Sequence, residues 1–192
     1  LFFRKNKTII VDYDDAVFHN FDNSFFLVKI LLSKKYDYVM QNSNKVIVGN
    51  KYLFQRAIKN NKNSFILPSV INSNKYFKKI EKIKKNNTKL VIGWVGSIVT
   101  SQYLYFLKDV IKDLNQKFNN LEFIAIGAPK KIKEIGIKTV PWSENTEVME
   151  IKKFDIGIMP LADNDFERGK CGFKLIQYMA CELPVVGSAV GA

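Results

Sequence analysis

Phe166 to Gly187 reads FERGKCGFKLIQYMACELPVVG, and residue type alone divides it into three parts. Glu167-Arg168-Gly169-Lys170-Cys171-Gly172 is a polar turn punctuated by glycine, Phe173 to Cys181 is an amphipathic helix, and Pro184-Val185-Val186 is a short buried strand. Leu175, Tyr178 and Met179 stand at i, i+3 and i+4, so they share one helical face that a sheet would cover. The helix begins directly after Gly172, so its unpaired amides and the positive end of its dipole face the turn. Arg168, Lys170 and Lys174 add cationic charge at that end. Free amides flanked by bases make an anion site, most naturally one for phosphate.

Working back from this helix-strand unit, the chain is a succession of similar units. Thr8 to Tyr13 (TIIVDY) is an apolar run ending in acid, as a parallel strand opening into a cleft would be. Ser24 to Lys34 predicts a helix with Ser24 as N-cap and an apolar side carried by Phe25, Phe26, Val28, Ile30 and Leu32. Lys45 to Gly49 is a second strand, Lys51 to Lys59 a helix, and Phe65 to Pro68 a third strand. A second series follows: strand Leu90 to Val95, helix Ser101 to Phe118, strands Leu121 to Ile126 and Lys138 to Val140, helix Thr146 to Lys153, and strand Asp155 to Met159. Alternating strands and helices imply α/β architecture with parallel sheets flanked by helices. Between the two series, from Asn72 to Thr88, the composition turns to Asn and Lys, which marks a linker. We therefore expect two Rossmann-like domains, 1–72 and 89–192, joined by 73–88. The absence of an initiator Met, and last residues VGSAVGA that stop in a strand exit with no closing helix, lead us to expect a fragment cut at both ends.

Several other positions are candidates for chemistry. Gly96-Ser97, where the first strand of the second series turns, offers close backbone approach, a hydroxyl and an amide to a phosphate. Trp142-Ser143 precedes a helix, and the plain reading of Ser143 or Asn145 is an N-cap. Asp12-Tyr13-Asp14-Asp15 is open to three readings: a DxD site for a divalent cation, the nucleophile motif of a haloacid-dehalogenase-like phosphatase using Asp12 and Asp14, or acids capping a turn. His19, the single histidine, stands just downstream. Cys171 and Cys181 flank one helix without a histidine nearby, a spacing that suits neither zinc nor a disulfide framework, so a reducing cytoplasm is expected. The formal net charge is +12, but it is built almost wholly from lysine interspersed with asparagine, and the basic run from Lys75 to Lys89 lacks an RNA-binding aromatic pattern. No nucleic-acid partner is expected, and peripheral association with an anionic membrane is left open.

The pattern GKCGFKLIQYMACELPVV resembles the donor-sugar region of group 1 (family 4) retaining glycosyltransferases, whose usual form is FG, a few residues, E-A-M-A, then x-G-x-P-V-V. The resemblance implies GT-B architecture and transfer of a sugar from a nucleotide-diphosphate donor to an acceptor hydroxyl, with retention and without a metal. A role in cell-surface polysaccharide or glycan synthesis and a glycan or lipid-linked acceptor would follow. Gly96, Ser97, Arg168, Lys170, Gly172 and Lys174 would hold the donor diphosphate, Trp142 and Ser143 would border the base, and Phe173 would lie by the sugar. Asp14 and Asp15 would orient or deprotonate the acceptor. Members carry two glutamates separated by seven residues, and here those positions fall on Gly169 and Gln177. Gln177 can still meet ribose hydroxyls as a neutral partner, whereas Gly169 has no carboxylate and Glu167 is the candidate substitute. The alternatives are the phosphatase, or a non-catalytic nucleotide-binding fragment.

Overall fold

The computed structural model describes residues 7–22, 24–76 and 89–191. The chain divides into two compact units, Leu1–Ser69 with Asp163–Gly172 and Ala189–Ala192, and Val70–Ala162 with Phe173–Ser188. This partition differs from the boundaries expected from composition. Ser73–Tyr76 is a short helix of the second unit, with Tyr76 buried in that unit's core. The segment 163–172 groups with the first unit, although the chain on both sides of it belongs to the second. The rest of the expected linker, 77–88, lies outside the described residues.

The first unit holds a parallel sheet in the order β1 (Ile10–Tyr13), β2 (Lys45–Val48), β3 (Ser64–Ile66). Four helices accompany it: α1 (His19–Asp22), α2 (Phe26–Leu32), α3 (Lys35–Gln41) and α4 (Lys51–Asn60). Val46 and Val48 alternate inward from β2 and meet Met40 of α3 and Leu53 and Ala57 of α4. Ser24 does not cap α2. Its hydroxyl donates to the Phe21 carbonyl, and the N-cap is Phe25, which makes no side-chain cap bond. The expected apolar side of this helix is also uncovered: α2 has no buried residue, because α3 and α4 already fill the core.

The second unit is a five-stranded parallel sheet in the order β6-β5-β4-β7-β8, with β4 Leu90–Val95, β5 Leu121–Ile126, β6 Ile137–Val140, β7 Ile156–Met159 and β8 Val185–Gly187. Its helices are α5 (Ser73–Tyr76), α6 (Lys108–Lys117), α7 (Glu147–Ile151) and α8 (Phe173–Ala180). Strand periodicity sorts side chains to two faces. Val91, Val95 and Ile126 face Tyr76, Ile151 and Tyr178; Trp94, Phe123 and Ala125 face Leu104, Ile111 and Ile132. Each large side chain so buried contributes about 2 kcal/mol. The helix expected from Ser101 begins as a 3-10 helix, Thr100–Leu107, before α6. Ser101 and Leu104, three apart, are both buried there, the spacing at which 3-10 side chains eclipse. On α8, Leu175 and Tyr178 do pack inward, but Met179 is 54% exposed and Gln177 takes the buried place.

Candidate functional site

In the second unit the strand order reverses between β4 and β7, which in open α/β sheets places a ligand crevice at the carboxyl ends of those strands. The two strands register only at Ile92–Ile156 and Gly93–Gly157. Beyond that they are bridged by Tyr178, whose hydroxyl accepts from the Val95 amide at 2.9 Å and donates to the Ile158 carbonyl at 3.2 Å. This buried bridge fixes α8 against the strand ends. Burial also pushes the Tyr178 hydroxyl's pKa upward, so it stays a neutral donor.

Three strand-end loops meet at this crevice. A Cβ on Gly96 would lie 2.5 Å from the Trp94 ring and 2.9 Å from Lys174 Cε, so the space a side chain would need is already filled. Lys174, in the first turn of α8, sets its ammonium 5.8 Å from the Trp94 ring centroid. Gly127 follows β5 with φ +81, and a Cβ there would meet the Gly96 carbonyl at 2.2 Å and Trp142 Cβ at 3.2 Å. Gly96, Gly127, Trp142 and Lys174 are thus neighbours. Ser97 is exposed, and its amide and hydroxyl engage Thr100 Oγ1, each at 3.2 Å. Gly172, immediately before α8, has φ +68, a conformation that glycine adopts without steric cost.

Behind Trp142 lies a polar cluster. Glu147 Oε1 accepts from Trp142 Nε1 at 3.0 Å and from Gln177 Nε2 at 3.3 Å, while its Oε2 accepts from Lys75 Nζ at 3.0 Å and the Tyr76 hydroxyl at 3.2 Å. Gln177 Nε2 also donates to the Tyr76 hydroxyl at 2.6 Å. Burial raises the Glu147 carboxyl, but the bonds from Trp142, Lys75 and Tyr76 outweigh it and hold the pKa below its ordinary value. Ser143 is exposed and serves α7 through its carbonyl, which accepts from the Thr146 and Glu147 amides; the N-cap position is Thr146, without a side-chain cap bond.

In the first unit the excursion 163–172 is held by several contacts. Asn50 caps α4 by accepting from the Leu53 amide, and its Nδ2 donates to the carbonyls of Arg168 at 3.4 Å and Lys170 at 3.1 Å. Lys170 Nζ pairs with Asp15 Oδ2 at 2.8 Å and stands 4.8 Å from the Phe166 ring centroid. The Cys171 thiol donates to the Asp14 carbonyl. Arg168 is balanced by Asp163 and Asp165, and Glu167 is buried. His19 bonds Tyr52 and Asp22.

Of the residues singled out from the sequence, Gly96, Ser97, Trp142, Ser143, Phe173, Lys174 and Gln177 belong to the second unit. Asp14, Asp15, Glu167, Arg168, Lys170 and Gly172 belong to the first. Sequence reasoning misses Gly127, Glu147, Lys75 and Tyr76. Gly127 follows an apolar strand as Gly96 does, which is the signal that could have found it. Lys75 and Tyr76 are hidden by the Asn/Lys composition around them.

Residues 89–192 match the family model described as Glycosyl transferases group 1. No curated protein matches the sequence. Among solved structures the chain is similar to TarM, of S. aureus, with TM-score 0.68 and 17% identity over 99% of this chain and 38% of that one. It is similar to WaaG, a glycosyltransferase involved in lipopolysaccharide biosynthesis, with TM-score 0.68 and 15% identity over 95% of this chain and 56% of that one. A UDP-forming trehalose-phosphate synthase from Burkholderia xenovorans gives TM-score 0.62 and 9% identity over 97% of this chain and 55% of that one. At such identities the likeness establishes the fold alone, α/β of the GT-B type, of which the chain spans a part.

Proposed function

The chain belongs to the group 1 glycosyl transferases, and from that premise we propose that it takes part in moving a sugar from a nucleotide-diphosphate donor to an acceptor hydroxyl. The observation that carries this reading is the place of Lys174. It stands in the first turn of α8, against Gly96, where the strand order of the donor-side sheet reverses.

Departure of the sugar leaves negative charge on the diphosphate, and stabilising that charge is the demanding step. The first amides of α8, the Gly96-Ser97 turn and the Lys174 ammonium supply positive potential for it. In this reading Trp142 walls the base beside Ser143, Gln177 meets the ribose, and Phe173 borders the sugar. Arg168, Lys170 and Gly172, the other phosphate candidates of the sequence, lie on the first unit, where Arg168 pairs with Asp163 and Asp165 and Lys170 with Asp15; Glu167 there is the carboxylate nearest the missing family position. Asp14 and Asp15 serve the acceptor, Asp15 being given a fixed position by Lys170. Retention of configuration, operation without a metal, and a glycan or lipid-linked acceptor in polysaccharide synthesis at the cytoplasmic face of a membrane complete the proposal. Support comes from what the similar proteins hold: a mutant of S. aureus TarM is in complex with fondaparinux, α-GlcNAc-glycerol and UDP, and the pneumococcal O-GlcNAc transferase GtfA with UDP and GlcNAc.

The test is Lys174→Ala in the full-length protein, assayed by release of nucleoside diphosphate from a panel of nucleotide-sugars. Turnover should fall about a hundredfold, the scale of losing one preorganised charge partner, with the circular dichroism spectrum unchanged. EDTA should leave wild-type turnover intact. Undiminished activity in the variant refutes the role of this lysine, and loss of activity with EDTA refutes the metal-free mechanism.

A further inference from the structure

We propose that Glu147 is the positioning residue of the nucleoside pocket: its carboxylate steadies Trp142 and pins the Gln177 amide, so that the amide oxygen is the acceptor offered to the donor's ribose. The inference rests on the donor reading above and adds to it a residue that touches no substrate.

The argument begins with what each group can do. An ionised carboxylate only accepts hydrogen bonds, so the Gln177 atom 3.3 Å from Glu147 Oε1 must be the amide nitrogen. The same nitrogen stands 2.6 Å from the Tyr76 hydroxyl, which itself donates to Glu147 Oε2. Both amide hydrogens of Gln177 are thereby committed within the cluster, and its carbonyl oxygen is the acceptor that remains. Without a fixed acceptor beside it, an amide can turn over and present donors instead. A ribose hydroxyl that donates its hydrogen is met by such an acceptor. In the family pattern a glutamate stands at this position; here the negative charge sits on Glu147, which accepts from the Gln177 amide and is balanced by Lys75 at 3.0 Å.

Charge explains why the two positions are complementary. A carboxylate at 177 would stand at hydrogen-bond distance from Glu147, and two carboxylates so close cannot both ionise without penalty. One amide and one carboxylate avoid this and keep an acceptor for the ligand. Trp142 is held by the same oxygen, Oε1, so the wall for the base and the partner for the ribose depend on one group.

The experiment uses the full-length protein titrated with UDP, GDP and ADP and with the 2′,3′-dideoxy form of whichever binds best. Binding is followed by calorimetry and by tryptophan fluorescence, to which half-exposed Trp142 and buried Trp94 contribute differently. In Glu147→Gln the dissociation constant of the preferred nucleotide should rise about tenfold, and the preference for ribose over dideoxyribose should shrink. Gln177→Glu alone should also weaken binding, and the exchange variant Glu147→Gln/Gln177→Glu should recover most of it. A purely structural role would lower the melting temperature and leave the ribose preference as it was. Wild-type affinity and ribose preference in folded Glu147→Gln overturn the inference while leaving the donor reading in place. Failure of the wild type to bind any of the three nucleotides overturns the donor reading, and the inference with it.

Discussion

Glu147 shows how a buried charge is kept. Burial alone would raise its carboxyl above the ordinary value of 4.5, but the donors Trp142, Lys75 and Tyr76 reverse the shift and lower it. A carboxyl with a lowered folded pKa binds its proton more weakly in the native state than in the unfolded chain. The stability it contributes is therefore full above the ordinary value and is lost as pH falls through the lowered one. Between pH 6 and pH 3 the wild type should lose stability more steeply than Glu147→Gln. Urea midpoints measured across that range check it; parallel pH profiles for the two proteins would show that the carboxylate carries no net ionisation-linked stability.

At the scale of elements, α8 is seated by Tyr178 rather than by hydropathy. A Cβ on Gly157 of β7 would lie 2.3 Å from Tyr178 Cγ, so the missing side chain makes room for the ring. The hydroxyl then closes the gap between β4 and β7. Tyr178→Phe keeps the ring but leaves the Val95 amide and the Ile158 carbonyl without that partner, which should cost about 2 kcal/mol. A Tm lowered by several degrees with an unchanged fold is the expected result, and an unchanged Tm would mean that the bridge adds nothing. This seating also explains what hydropathy could and could not show. Leu90–Val95 and Leu121–Ile126 are legible to the residue, because a central parallel strand must be apolar on both faces. The face of α8 is legible only in part. Tyr178 is buried and Leu175 half-buried against the same core, as their spacing implies, whereas Met179 is turned outward and Gln177 inward by the fit of one ring over one glycine. Lys174 and Gly96 can be picked out in the sequence because a cation in a first helical turn and a glycine at a strand end are places where an anion can be met, although a glycine there is as readily a plain turn. Glu147 does not, since its importance lies in Trp142, Tyr76 and Gln177 converging from three separate stretches of chain.

For the whole molecule, the two features that the donor site leaves unused are its charge and α2. The net charge is +12. Phe25, Phe26, Leu27 and Leu31 are between 71% and 90% exposed, and Lys29, Lys34 and Lys35 beside them are exposed as well. The nearby carboxylates Asp22 and Asp37 are taken up by Arg56, so the lysines are not neutralised from that side. An apolar helix edged by cations suits the boundary of an anionic bilayer, where each lysine near the surface contributes about 1 kcal/mol and the apolar side chains enter the headgroup layer. Among the described residues no helix is long and apolar enough to cross a membrane, so any association through α2 would be peripheral. Vesicles of phosphatidylglycerol and phosphatidylcholine should therefore sediment the protein, and phosphatidylcholine alone should not. Raising salt should weaken binding by screening the lysines, while Phe26→Asp with Leu31→Asp should weaken it about tenfold or more at fixed salt. Both positions are exposed, so the double variant should melt as the wild type does. Equal sedimentation of wild type and variant would assign the attraction to diffuse charge and remove α2 from it; no sedimentation of the wild type by anionic vesicles would end the membrane reading altogether.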